Sequence, residues 1–183
     1  SVTIINIFFQ DALHLNYSSV AFYKNAYNIL AILLLPFFGK LLSRLDPRRF
    51  AAITFAALFM YILFLLITEF VPGYTELFGI KIYYMLLISF GFYGIFAATM
   101  ALVWFIGSAY FCKPEEADDY QSIHLSLTGV RSLFAPLFGV YFYELMGFTG
   151  TFVLTLMVLL AAMALMRWSY RRDKLTKMRY EKN

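Results

Sequence analysis

Apolar residues in this chain are gathered into five long runs, separated by short segments that contain charged residues, proline and glycine. Each run is long enough to cross the hydrocarbon core of a bilayer, which takes about 20 helical residues. Backbone groups in hydrocarbon must find their hydrogen bonds within the segment, so such runs are expected to be helices. The predicted spans cover residues 17–41, 50–71, 81–111, 118–146 and 148–168.

A shorter apolar segment, residues 1–10, precedes the first span. Ten helical residues extend about 15 Å, half the thickness of the core, so this segment predicts only a partial helix. It lacks the basic start and the small-residue cleavage site of a signal peptide. We therefore expect a piece of a larger protein, in which residues 1–168 form one membrane bundle and residues 169–183 a basic tail.

Composition favours a membrane protein over a soluble one. The 183 residues are 62% hydrophobic, with a mean hydropathy of +0.71, whereas soluble domains are about half apolar. The predicted fold class is an all-α, polytopic membrane helical bundle. The single cysteine, Cys112, excludes an intrachain disulfide. The sequence shows no metal-ligand cluster, nucleophile–base pair or phosphate-binding loop, so we expect no metal, no cofactor and no enzymatic activity.

The basic residues indicate how the spans are oriented. The net charge of +4 is concentrated in the loop at residues 40–49 and in the C-terminal tail, whereas residues 72–80 and 144–150 contain no lysine or arginine. Because short basic loops remain on the inner side, both basic segments are expected in the cytoplasm, beneath the plasma membrane. The tail is interpreted first as a solvated end and second as a binder of anionic lipid headgroups.

Strongly polar side chains are unevenly distributed among the spans. The second and fifth spans have almost none, so they are expected to face lipid over much of their surface. Counting the partial helix, these are the third and sixth of six helices. A spacing of three suggests two three-helix units, as in the internal repeats of transporters.

Lys24 lies within the first span, where a charge costs roughly 2.5–3.5 kcal/mol at mid-helix. Tyr17, Ala21, Lys24 and Asn28 recur at helical spacing within roughly 60° of arc, with Asn25 at the edge of this stripe. One interpretation is that the stripe faces a solute. The alternative is that Lys24, close to the outer end of the span, extends its ammonium group to the membrane interface.

A second polar stripe, formed by Gln121, His124, Thr128 and Arg131, covers roughly 80° of the fourth span. Arg131 lies too deep to reach the interface easily, so we expect the stripe to line a water-accessible cavity. The alternative is a hydrogen-bond network that only holds helices together. His124 has two interpretations of equal weight, a proton shuttle and an interfacial or capping residue.

The third span combines small residues, which permit close helix packing, with many aromatic ones. Packing alone explains most of them. Tyr93 and Trp104 are candidates for stacking against a solute.

Residues 39–49, GKLLSRLDPRR, resemble the cytoplasmic signature of the major facilitator superfamily, roughly G-x-L-x-D-R-x-G-R-R. The matching residues are Gly39, Leu41, Arg44, Arg48 and Arg49. Ser43 stands at the acidic position of the signature and Asp46 at its second glycine, which puts a charge relay through that acid in doubt. Residues 114–139 are similar to helix eleven of such proteins.

The resemblance implies the C-terminal half of a twelve-helix secondary transporter, starting late in helix seven. In this family a cavity between the two halves opens alternately to the two sides of the membrane. The resemblance places six candidates on helices that line this cavity: Lys24, Asn28, Tyr93, Trp104, His124 and Arg131. The expected partners are a small solute, the missing N-terminal half, the bilayer and a coupling ion such as H⁺. Two cations suit an anionic solute. The loop containing Gly39, Arg44, Asp46, Arg48 and Arg49 is the expected cytoplasmic gating motif.

Two other function classes compete with a transporter. In a non-catalytic membrane subunit or scaffold, the polar stripes would serve helix–helix contact. A membrane-embedded enzyme would need an acid–base or metal cluster. It is the least favoured class, since its two imidazoles, His14 and His124, are expected on opposite sides of the membrane.

Overall fold

The computed structural model describes residues 2–106 and 113–180. Its elements are α1 (Val2–Asp11), α2 (Tyr17–Leu42), α3 (Pro47–Phe70), β1 (Tyr74–Leu77), β2 (Ile80–Tyr83), α4 (Tyr84–Ile106), a 3₁₀ turn (Pro114–Glu116) and α5 (Ala117–Tyr180). The predicted all-α membrane bundle is confirmed. Cys112 and residues 107–111 of the third predicted span lie outside the described residues.

Four helices are long and apolar enough to cross a membrane: Tyr17–Leu42, Pro47–Phe70, Tyr84–Trp104 and Ala117–Arg172. The last has 56 residues, about 84 Å, nearly three times the thickness of the hydrocarbon core. Gly147 interrupts it with φ 70° and ψ −170°, a conformation that is essentially restricted to glycine. The parts before and after Gly147, residues 117–146 and 148–180, are each long enough to cross the core alone.

A short antiparallel hairpin, rather than an irregular loop, connects α3 to α4. Its register pairs Tyr74 with Tyr83 and Leu77 with Ile80, and Gly79 in the turn has φ 75°. The predicted third span begins at residue 81, whereas the helix begins at Tyr84. Overall hydrophobicity does not distinguish strand from helix, although alternating β-branched residues in 80–83 are typical of a strand.

The two ends of the bundle are identified by contacts between α3 and the second part of α5, which run antiparallel. At one end the Thr149 hydroxyl donates to Glu69 Oε1 at 3.1 Å. At the other end Arg48 Nη1 donates to the carbonyl oxygen of Ser169 at 3.4 Å. The loop at residues 40–49 and the C-terminal part of α5 therefore share one end, here called the basic end, while the hairpin lies at the opposite, hairpin end.

α3 is packed over part of its surface, since seven of its 24 residues are buried, and the expectation that much of the remainder faces lipid stays a prediction. It packs against α4 and α5, and its buried residues are Phe50, Thr54, Ala57, Tyr61, Ile62, Leu65 and Thr68. A helix without strongly polar side chains fits a protein interior as well as it fits lipid, because both surroundings are apolar. Composition alone could not distinguish these two positions.

The second part of α5 has two faces. Thr151, Phe152, Leu156 and Leu159 are buried. By contrast, Val153, Met157, Val158 and Leu160 are exposed. Such exposed apolar side chains suit hydrocarbon, in agreement with the expectation that this span packs with one side and offers the other to lipid.

Candidate functional site

An open cavity of about 300 Å³ lies between the C-terminal end of α1 and the start of α2. It is lined by Asn6, Phe9, Gln10, Leu15, Asn16, Tyr17, Val20 and Lys24. We refer to it as the Lys24 cavity. It lies towards the hairpin end, because Asn16 Nδ2 donates to the carbonyl oxygen of Gly79 at 2.8 Å.

Asn16 forms part of the wall of this cavity and is held by local hydrogen bonds. It caps the N-terminus of α2, where its Oδ1 accepts from the backbone N–H of Ser19 at 2.9 Å. The same oxygen accepts from the Ser19 hydroxyl at 2.7 Å. Together with the bond to Gly79, these contacts use both the acceptor and a donor of the carboxamide. Asn16 therefore shapes the cavity and joins α2 to the hairpin.

Asn6, Gln10, Tyr17 and Lys24 provide the remaining polar lining. Asn6 is half-buried, whereas Gln10, Tyr17 and Lys24 are exposed, so the cavity opens at the surface of the described part of the chain. Asn6 and Gln10 are four residues apart on α1, so they lie on the same helix face. Each carboxamide both donates and accepts, while the Lys24 ammonium group only donates. This set can hold a negatively charged oxygen beside Lys24 and neutral polar groups beside the two carboxamides.

The rest of the first polar stripe lies mostly outside the cavity. Asn25 and Asn28 are exposed, and neither lines the Lys24 cavity. Tyr17 lines it but remains 87% exposed. The stripe thus lies on the outer surface of the described part of the bundle.

Tyr93 lies in a cluster of aromatic rings between α2, α3 and α4. Its ring centroid is 4.6 Å from that of Tyr27, in an edge-to-face arrangement. The ring of Tyr61 is also 4.6 Å away. These distances are typical of stabilising aromatic pairs. Tyr93 is half-buried, so packing accounts for much of its surface, and its role in stacking a solute stays a prediction.

The second polar stripe begins in contact with α4 and ends on an open surface. The rings of Trp104 and His124 meet edge to face, with centroids 5.0 Å apart. Gln121 and Thr128 are half-buried, whereas Arg131 is exposed. In the described part of the chain Arg131 does not line the Lys24 cavity. Helical spacing identifies residues that share a face, but it does not identify what covers that face.

The predicted gating motif joins α3 to the end of α5. Asp46 is the N-cap of α3, and its Oδ1 accepts from the backbone N–H of Arg48 at 2.9 Å. The Arg49 guanidinium carbon lies 4.2 Å from the centroid of the Tyr170 ring, a cation–π distance. Arg44 is exposed, and Gly39 is half-buried within α2.

This geometry explains why an aspartate stands where the signature has its second glycine. Aspartate is a preferred N-cap, and the following Pro47 is at the first helical position, where its missing N–H costs nothing. The Asp46–Pro47 pair therefore starts α3.

Asn6, Gln10 and Asn16 are polar residues of the site that periodicity does not single out. Residues 1–10 predict only an apolar partial helix, and Asn16 falls between that segment and the first predicted span. The available signal was the spacing of four between two carboxamides in an otherwise apolar segment. Their proximity to Lys24 depends on the turn between α1 and α2, which periodicity does not predict.

Comparisons with known proteins support the resemblance seen in the loop at residues 39–49. Searches of the curated proteins and of the solved structures give no significant match. The family model described as Major Facilitator Superfamily matches residues 1–182, almost the whole chain. The chain therefore belongs to the Major Facilitator Superfamily, a family of membrane transporters.

Proposed function

We propose that this chain is part of a secondary active transporter that moves a small solute by alternating access, with the Lys24 cavity as part of the solute site. The observation that carries the proposal is the convergence of Lys24, Asn6 and Gln10 on one cavity. Its volume of about 300 Å³ is at the lower end of the range for ligand pockets, roughly 300–1,000 Å³. Such a volume suits a small solute.

An anionic solute, such as a small carboxylate, fits the chemistry of this cavity best. A charge-assisted hydrogen bond from the Lys24 ammonium to a carboxylate is about twice as strong as a neutral one. The two carboxamides supply donors and acceptors for the uncharged part of the solute. Arg131 is the second proposed counter-charge, contributed from α5.

A partner bundle, the N-terminal half, would complete the site. Both polar stripes lie partly on exposed surfaces of α2 and α5, and in a membrane protein such surfaces face water or protein. The proposed orientation places the basic end in the cytoplasm beneath the plasma membrane, as short basic loops favour. Coupling to H⁺ or to another ion belongs to the same proposal.

Uptake by the full-length protein with Lys24→Gln tests the site. Lys40→Gln is the matched control, because it removes the same charge from the opposite end of α2, outside the Lys24 cavity. Loss of one charge-assisted hydrogen bond should raise KM for an anionic solute about tenfold. Lys40→Gln should leave this KM unchanged.

Lys24→Arg separates a binding role from a structural one. It retains the positive charge, so it should recover part of the affinity while the thermal stability of all three variants remains equal. Wild-type KM in Lys24→Gln for every transported solute would remove Lys24 from the site. Equal increases in KM for both Gln variants would indicate a general charge effect instead.

A further inference from the structure

A groove of about 590 Å³ opens at the basic end, between the start of α3 and the C-terminal part of α5. It lies away from the Lys24 cavity, which is near the hairpin. Its lining consists of Leu45, Arg48, Arg49, Ala52, Ile53, Ala56, Met163, Met166, Arg167, Tyr170 and Arg171. We refer to it as the arginine groove.

Four arginines give the mouth of this groove a strong positive charge. Arg49, Arg167 and Arg171 are exposed, and Arg48 is half-buried with its Nη1 on the Ser169 carbonyl oxygen. Among the described side chains that line the groove, none is acidic. Two carboxylates lie two residues from these arginines in sequence: Asp46, which caps α3 through the backbone N–H of Arg48, and Asp173, whose side chain is outside the described part of the chain. The groove therefore attracts anions.

The opposite end of the groove is apolar. Ala52, Ile53 and Ala56 follow Arg49 along α3, and Met163 and Met166 precede Arg167 along α5. Ala56 lies seven residues beyond Arg49, about 10 Å further towards the middle of the membrane. The lining thus changes from guanidinium groups to aliphatic side chains in the direction of the hydrocarbon core.

This gradient matches the polarity of a phospholipid. A phosphate is a strong partner for arginine, because the planar guanidinium offers paired donors to its oxygens. The glycerol and the first acyl carbons continue towards apolar surroundings, as the wall of the groove does. A free phosphate would use only the mouth. Basic pockets between membrane helices are known to take anionic lipid headgroups.

We propose that the arginine groove binds an anionic phospholipid, with its phosphate between Arg49, Arg167 and Arg171 and an acyl chain against Ile53 and Met163. The lipid would hold the end of α5 against the start of α3, beside the Arg48–Ser169 and Arg49–Tyr170 contacts. This site is separate from the proposed solute site. A lipid-binding result therefore decides this proposal whatever the transported solute proves to be.

Competitive lipid retention by the full-length protein tests the proposal. The purified protein is exchanged into mixed micelles of phosphatidylglycerol and phosphatidylcholine, and the lipids that remain bound are counted by native mass spectrometry. The variant Arg49→Gln/Arg167→Gln is compared with Arg44→Gln/Arg172→Gln. The two double variants lose the same charge at the same end, but Arg44 and Arg172 do not line the groove.

The wild type should retain phosphatidylglycerol in preference to phosphatidylcholine. Each arginine near an anionic lipid contributes about fivefold in affinity, so the groove variant should lose about twenty-five-fold. The control variant should lose much less. Equal losses in the two double variants, or no loss in the groove variant, would overturn the proposal.

Two further arms complete the test. If inorganic phosphate at the same concentration as the lipid displaces phosphatidylglycerol, the acyl chain contributes no affinity, the ligand is a free phosphate and the lipid assignment is wrong. If the groove variant fails to fold, the single exposed substitution Arg171→Gln replaces it. It should reduce retention of phosphatidylglycerol about fivefold, and unchanged retention would overturn the proposal.

Discussion

At the scale of single residues, Asp46 shows how one side chain can combine a motif position with a structural task. Its carboxylate caps α3 by accepting from the backbone N–H of Arg48. Removal of an N-cap costs about 0.5–2 kcal/mol. Asp46→Ala should therefore lower the free energy of unfolding by about 1 kcal/mol, measured by thermal unfolding in detergent.

Asp46→Asn is the informative control, because asparagine caps helices nearly as well as aspartate but carries no charge. It should retain most of the stability that alanine loses. If the negative charge rather than the cap matters, Asn and Ala will destabilise the protein equally. Transport by the Asn variant then tells whether the charge also serves gating.

The Lys24 cavity marks the limit of prediction at this scale. Lys24 attracts attention in the sequence because a cation within an apolar span is costly. Its cavity neighbours Asn6 and Gln10 come from another helix, across the turn at residues 12–16. Their proximity to Lys24 depends on how the two helices pack against each other, so the periodicity of either helix alone does not predict it.

At the scale of elements, Gly147 is the residue at which the long helix α5 is interrupted. The backbone there has φ 70° and ψ −170°, which costs a residue with a Cβ atom about 1–3 kcal/mol. A Cβ atom at this position would meet nothing within 4 Å. Gly147→Ala should therefore destabilise the protein by about 1–3 kcal/mol through backbone strain alone.

Gly129→Ala is the matched control in the same helix. It also meets nothing within 4 Å, but its φ is not positive. Because alanine favours a helix over glycine by about 1 kcal/mol, this change should be neutral or stabilising. Thermal unfolding in detergent compares the two variants. Equal changes in melting temperature would show that backbone strain at residue 147 does not lower the stability of the protein.

Elements were predicted best where a single physical rule decides them. Apolar runs long enough for a bilayer predict helices, and Asp46–Pro47 is a helix start that local chemistry specifies. The hairpin is not predicted, because the hydrophobicity of residues 80–83 equally indicates the start of a span. How much of α3 faces lipid stays a prediction, because an apolar helix suits lipid and protein interior equally.

At the scale of the whole molecule, the described bundle has a closed side and an open side. Aromatic residues of α1–α4 form its core, with Phe8, Tyr23, Tyr61 and Phe90 all buried. The polar stripes instead lie partly at the surface of α2 and α5. The two-half transporter proposed above would account for this arrangement, since the second half would cover the open side and leave a wetted cavity between them.

Labelling of Arg131→Cys in the full-length protein tests this arrangement directly, in a background in which Cys112 and every other native cysteine is replaced by serine. Leu133→Cys is the control, because Leu133 lies about 200° around the same helix and is 68% exposed. A thiol in a wetted cavity ionises and reacts with a water-soluble maleimide, while a thiol among acyl chains does not. Residue 131 should therefore label rapidly and residue 133 slowly.

The pattern of labelling distinguishes the remaining arrangements. Slow labelling at both positions would show that residue 131 faces hydrocarbon or a dry helix contact, and the polar stripe of α5 would then serve packing. If an excess of transported solute slows labelling at residue 131 alone, the stripe faces the same compartment as the solute. Rapid labelling without such protection would place residue 131 in water but away from the solute, so Lys24 alone would remain as the proposed counter-charge.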